Sequence, residues 1–230
     1  MARIWCVILA LGLTIGCAQA YEECGPLANA YGPFDYRTDQ DKIAVVEQYH
    51  FTPPVENLKR GATGVIGADL DYTLRAVPNH HRALIAMVRW AERLKTEHTP
   101  GANYTVKCYL ERALRFRPED SMARLIYANY LTKHGQKEEG VKQLEAAREN
   151  AGDNANIQYN LGLAYFELGD YTQSLSHAQR AYQLGFSLPG LRNKLQKAGK
   201  WREPEPLKPD ADAQPTTEAS PAGNPPAAGQ

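Results

Sequence analysis

A self-similarity at an offset of 34 residues constrains this chain more than any other feature. Residues 121–154 overlay residues 155–188. Tyr127 falls on Leu161, Ala128 on Gly162, Leu131 on Tyr165, Gly135 on Gly169, Gly140 on Ser174, Leu144 on Ala178 and Ala147 on Ala181. Fixed-period repeats of this length mark stacked supersecondary units that bury a core only against their neighbours. Each unit reads as two helical stretches around a glycine-containing turn, His134-Gly135-Gln136-Lys137 and Leu168-Gly169-Asp170-Tyr171. Small residues sit where two backbones must approach, and larger ones fill the space between. Gly135 and Gly169 end the first helix of each unit, where a left-handed cap suits glycine.

The pattern resembles the tetratricopeptide repeat. The second unit carries Asn160-Leu161-Gly162, Tyr165, Leu168-Gly169-Asp170-Tyr171 and Ala181. It departs from that family at its end, where Phe186 replaces the usual proline and Pro189 follows. An earlier unit keeps the frame, with Leu110 and Ala113 standing 34 residues before Leu144 and Ala147. Its first helix is expected over residues 81–95, and its loop at 96–103 is longer than its counterparts. A helix at 69–77 precedes it, and Leu191, Leu195 and Trp201 predict a capping helix over 190–201. The expected fold is therefore all-α, a helix-turn-helix solenoid over residues 69–201 with about three repeats and a C-terminal cap.

The ends read differently. Arg3, the short apolar run 4–16 and Ala18-Gln19-Ala20 form a secretory leader that would leave a chain beginning at Tyr21. The alternative is lipoprotein processing at Thr14-Ile15-Gly16-Cys17, with the chain anchored through Cys17. Both readings place the protein outside the cytoplasm, periplasmic or secreted, with no membrane span once the leader is removed. Residues 202–230 hold seven prolines and six alanines without one aromatic residue, a composition that predicts a disordered tail.

Between leader and repeats, residues 21–68 predict an irregular segment with short helices. Residues 21–36 should wander over the surface, since glycine and proline interrupt any helical period. Helices are expected at 42–48, after Asp39 or Asp41 as caps, and at 53–60, capped by Thr52 and stopped by Gly61. The segment would cap the first repeat. Two cysteines remain beyond the leader, Cys24 and Cys108, and in an oxidising compartment an even pair predicts a disulfide. Two residues before the core position Leu110, Cys108 should face outward or sideways.

The sequence contains no Gly-x-Ser-x-Gly, His-Glu-x-x-His, phosphate-binding glycine loop or catalytic cysteine signature. Asn79-His80-His81 reads as the opening of a helix, and an enzyme or metal protein built on His50, His80 and His81 is the chemical alternative. Neither a cofactor nor a metal is expected, and nothing points to nucleic acid.

The resemblance implies instead a groove formed by the first helix of each repeat. Carried over by frame, it comprises Arg82, Ile85, Ala86, Arg89 and Arg93, then Met122, Leu125, Ile126, Asn129 and Lys133, then Asn156, Tyr159, Asn160, Leu163 and Glu167. Leu125 and Tyr159 stand where a carboxylate clamp would need lysine. The expected function is a non-catalytic scaffold binding a protein or peptide in a cell-envelope assembly. Binding or helping to export an envelope polymer, peptidoglycan or polysaccharide, is the rival.

Charge sharpens the partner's chemistry. The whole chain is neutral, but residues 21–80 carry 5 basic and 9 acidic residues, whereas 81–201 carry 18 and 12. An acidic flank either lies on the basic solenoid or is displaced by an acidic partner.

Overall fold

The computed structural model describes residues 24–203. The expected leader, the lipidation alternative at Cys17 and nearly all of the expected tail lie outside them. Among the described residues there are ten helices and no strands: α1 Gln40–His50, α2 Pro53–Glu56, α3 Ile66–Ala76, α4 His81–Leu94, α5 Val106–Phe116, α6 Ser121–Lys133, α7 Lys137–Glu149, α8 Ala155–Glu167, α9 Tyr171–Gln183 and α10 Gly190–Lys197. They pack as successive helix pairs, in the manner of a helical solenoid.

The tightest pairs are α6–α7 and α8–α9, and local chemistry explains both. Asp120 caps α6 by accepting from the Ala123 amide, Asn154 caps α8 through the Asn156 and Ile157 amides, and Asp170 caps α9 through the Gln173 amide. Gly135 and Gly169 are left-handed, at φ 78° and 81°. Beyond each glycine, Gln136 donates its amide to the Leu131 carbonyl and Asp170 to that of Tyr165, so the last carbonyls of the helix are satisfied. The small residues then set the approach. At Gly162 an added Cβ would stand 3.2 Å from the Ser174 carbonyl oxygen and 2.5 Å from a Leu191 methyl. Ala147, Ala178 and Ala181 are fully buried along the same seams.

Larger residues join α4 to α5. Leu84, Met87, Val106, Tyr109 and Leu110 form one core with Leu70 and Leu74 of α3 and with Ile126, Tyr127 and Leu131 of α6. The long 96–105 connection is tied down by Asp71, which accepts from the Asn103 amide at 3.1 Å and from the Tyr109 hydroxyl. At the other end, α10 closes the stack: Leu191 and Leu195 bury against Tyr159, Ala178 and Ala181.

The described residues of the 21–36 stretch do not simply wander over the surface: they are pinned to the first pair. Cys24 and Cys108 form a disulfide and are both buried, at 1% and 4% exposure, so Cys108 points into an interface rather than outward. Beside it the buried Arg112 guanidinium donates to the carbonyls of Cys24 and Pro26, at 2.9 and 2.7 Å, and covers the Tyr104 ring. The second short helix stops at Glu56, not at residue 60, because Leu58 turns left-handed at φ 54° to bury its side chain. Thr52 makes no side-chain cap there, and Asp39 turns away from α1 to accept from the Asp35 amide.

Two stability predictions follow from this packing. Gly162→Val should destabilise the fold by about 1–3 kcal/mol through overpacking against Leu191 and the α9 backbone, read as a lower denaturant midpoint. Replacing both Cys24 and Cys108 by serine opens a loop with a sequence separation of 84. On the chain-entropy model this should remove about 4–5 kcal/mol, and an unchanged midpoint would contradict the clamping role of the bond.

Candidate functional site

The first helices of the three pairs, α4, α6 and α8, line one face. Their side chains enclose an open hollow of about 290 Å³ between Ile85, Val88, Arg89, Met122, Leu125, Ile126, Asn129, Tyr130, Lys133 and Asn160. A second hollow of about 240 Å³ continues from it, sharing Val88 and Tyr130 and reaching Glu92, Lys95, Glu97 and His134. Sequence frame alone groups Ile85, Arg89, Met122, Leu125, Ile126, Asn129, Lys133 and Asn160, and the structure brings these together. The repeat frame does not single out Val88 and Tyr130, which stand beside Arg89 and Asn129 in sequence and also line the hollow.

The floor is apolar and the rim polar. Leu125 is buried at 1% and serves as floor and core at once, while Ile85 is 41% exposed. Lys133 pairs with Glu92 at 2.9 Å. Arg89 is exposed and, among the described residues, has no hydrogen-bond or ion-pair partner.

Several expected groove residues are placed elsewhere, each for a physical reason. Arg82 is taken by the N-terminal segment: it forks onto Glu56 at 2.8 and 2.5 Å, reaches Glu47 at 3.3 Å and covers the Phe51 ring. Arg93 donates to the Leu58 carbonyl at 2.8 Å and lies over Trp90. Ala86 is core. Tyr159 is buried under the C-terminal cap, stacked on Phe186 at 4.2 Å, its hydroxyl accepting from the Leu191 amide. Leu163 packs on that same cap cluster, and Glu167 pairs with Lys194 of α10. Asn156 is exposed but turned along its own helix, accepting from Asn160 at 2.7 Å. The groove is thus closed at both ends by the caps and open in the middle.

The three histidines of the chemical alternative are dispersed over separate carboxylates. His80 is fully buried; its Nδ1 accepts from the Ala83 amide, so Nε2 donates to Glu47 at 3.0 Å. His81 Nε2 meets both oxygens of Asp120 at 2.9 Å. His50 meets Asp69 at 3.1 Å. Among the described residues the group of metal-ligating type is Cys24, Cys108 and Glu111, whose sulfurs are joined in the disulfide.

His80 and His81 belong to a network that holds the groove's N-terminal end. Its centre is Asn79, fully buried, donating to Asp35 and Asp120 at 2.8 Å each and accepting from the Tyr36 amide at 3.0 Å. Asp35 also binds Arg37 and Arg117, and the Arg37 guanidinium holds its carboxyl far below the usual range. Burial pushes Asp120 up, but the bonds from His81, Ala123 and Asn79 prevail and keep it below its ordinary value. The hydrogen bond from His80 likewise lowers Glu47. Burial depresses His80 itself, against the pull of Glu47.

No family model matches the chain. Over 85 residues it is 29% identical to DnaJ homolog subfamily C member 3 of Mus musculus, a protein that contains tetratricopeptide repeats. The match covers 36% of this chain and 17% of the mouse protein, so the chain corresponds to a minor part of that relative. The likeness and the paired helices are compatible with a tetratricopeptide-like fold.

Buried histidines and carboxylates, in this network and outside it, make stability depend on pH in a defined direction. A buried histidine with a depressed pKa takes up its proton more readily when unfolded, so its contribution is present above about pH 6.5 and lost below it. His80 and His177 are both of this kind. The depressed carboxylates Asp35, Glu47, Asp69 and Asp120 add a second loss as pH falls below about 4. The thermal midpoint should therefore fall between about pH 7 and about pH 5. His80→Asn, which keeps an N-cap residue, should flatten that slope.

Proposed function

We propose that the protein is a non-catalytic scaffold that holds a protein or peptide partner in the α4–α6–α8 groove, within a cell-envelope assembly. The observation that carries this reading is the open stretch of that face: an apolar floor with the unpaired guanidinium of Arg89 at its rim. Similarity to a repeat-containing relative supports a protein-interaction scaffold. The envelope location rests on the leader-like sequence of residues 1–20.

The partner's contact segment would place an apolar side chain over Ile85 and Met122 and a carboxylate within reach of Arg89. The groove end carries its own acidic cover, since Glu47 and Glu56 already occupy Arg82. A bound segment is therefore expected to engage the open middle rather than to displace that flank. Affinity purification from envelope extract, followed by mass spectrometry, should return a specific partner. Arg89→Glu and Ile85→Asp should each weaken its binding by roughly tenfold or more, the equivalent of about 1.4 kcal/mol. Binding should weaken with added salt. A partner held equally well by both variants would place the interface elsewhere.

A further inference from the structure

Away from the groove, the junction of α1, the 61–65 loop and α3 presents an oriented histidine among tyrosines. Asp69 is fully buried, and its carboxylate accepts from the Ala62 amide at 2.7 Å, the Thr63 amide at 3.2 Å and the Thr63 hydroxyl at 2.6 Å. Burial raises this carboxyl, but the converging donors outweigh it and keep it ionised. An ionised carboxylate only accepts, so His50 presents Nδ1–H to it at 3.1 Å. In the neutral ring the lone pair is then on Nε2. Stacking on Tyr72, with centroids 3.8 Å apart, fixes the ring plane.

This ring lines a hollow of about 200 Å³ with Tyr31, Tyr49 and Tyr72. On the other side of Tyr49 lies a second hollow of about 440 Å³, walled by Arg60 and Thr63. Tyr49 is 55% exposed, a ridge common to both. Among the described residues neither Tyr49 nor Arg60 has a hydrogen-bond or ion-pair partner.

We propose that this surface binds an acidic carbohydrate chain, with one sugar ring in each hollow astride Tyr49. The exposed Tyr49 ring offers apolar area to the C–H faces of a pyranose while keeping a polar hydroxyl at the rim. His50 Nε2 accepts from a ring hydroxyl in a geometry already fixed by Asp69. Arg60, exposed and unpaired, takes the ring carboxylate through its planar fork. Two shallow, linked hollows fit a polymer that continues past both ends. The site shares no residue with the groove, and its occupancy does not depend on a partner there.

Affinity electrophoresis of the folded protein tests this, with polygalacturonate or neutral hydroxyethylcellulose cast in the gel. Polygalacturonate should retard the wild type. Tyr49→Ala should cut the retardation at least tenfold with an unchanged circular dichroism spectrum, and His50→Gln and Arg60→Gln should weaken it. Arg89→Glu, in the groove, should leave it intact. No retardation by polygalacturonate, or equal retardation of Tyr49→Ala, would overturn the site. Equal retardation by the neutral polymer and by polygalacturonate would overturn the part given to Arg60, and loss in Arg89→Glu would reduce the effect to general charge.

Discussion

The side chain of Asn79 decides how the two halves of the molecule meet. Its amide group bonds the N-terminal segment at Asp35 and Tyr36 and, at the same time, the α6 cap residue Asp120. Because it sits just before α4, it fixes where α4 starts relative to α6. Those two helices supply most of the groove wall. Such a buried node is stable only when every donor and acceptor is satisfied, since an orphaned polar group there costs about 1–3 kcal/mol. Here the surrounding groups, His81, Arg37 and Arg117, complete the set.

Much of the repeat is legible in the residues because its constraints are local. Gly135 and Gly169 reveal their caps through a backbone conformation that few other residues adopt, and the buried alanines reveal close approach through size alone. The N-terminal segment is not legible in that way. Cys24 and Asp35 are held by residues 84 and 82 positions away, Cys108 and Arg117, and no periodicity encodes such a distance. The groove falls between these cases. Its middle follows the repeat frame, while Arg82, Arg93, Tyr159 and Leu163 are claimed by caps whose docking depends on non-local packing.

The division of charge acquires a physical meaning from the same docking. Acidic residues of the flank sit on basic residues of the repeats, Glu47 and Glu56 on Arg82 and Asp35 on Arg117. The pairs on Arg82 are partly exposed and contribute modestly to stability, whereas Asp35 is buried. They also remove one cation from the groove and leave Arg89 as the point where an incoming carboxylate meets no internal competitor.

A solenoid ordinarily assembles from neighbouring contacts, each unit adding to the last. The bond between Cys24 and Cys108 breaks that logic at one end of this molecule. Cys24 and Cys108 are 84 positions apart, and residues 24–26 rest on a floor that α5 supplies through Cys108 and Arg112. Without the bond, residues 24–26 lose their covalent hold on α5, and the buried Arg112 stands to lose the Cys24 and Pro26 carbonyls that receive its guanidinium. The latch and the unit beneath it therefore stand or fall together.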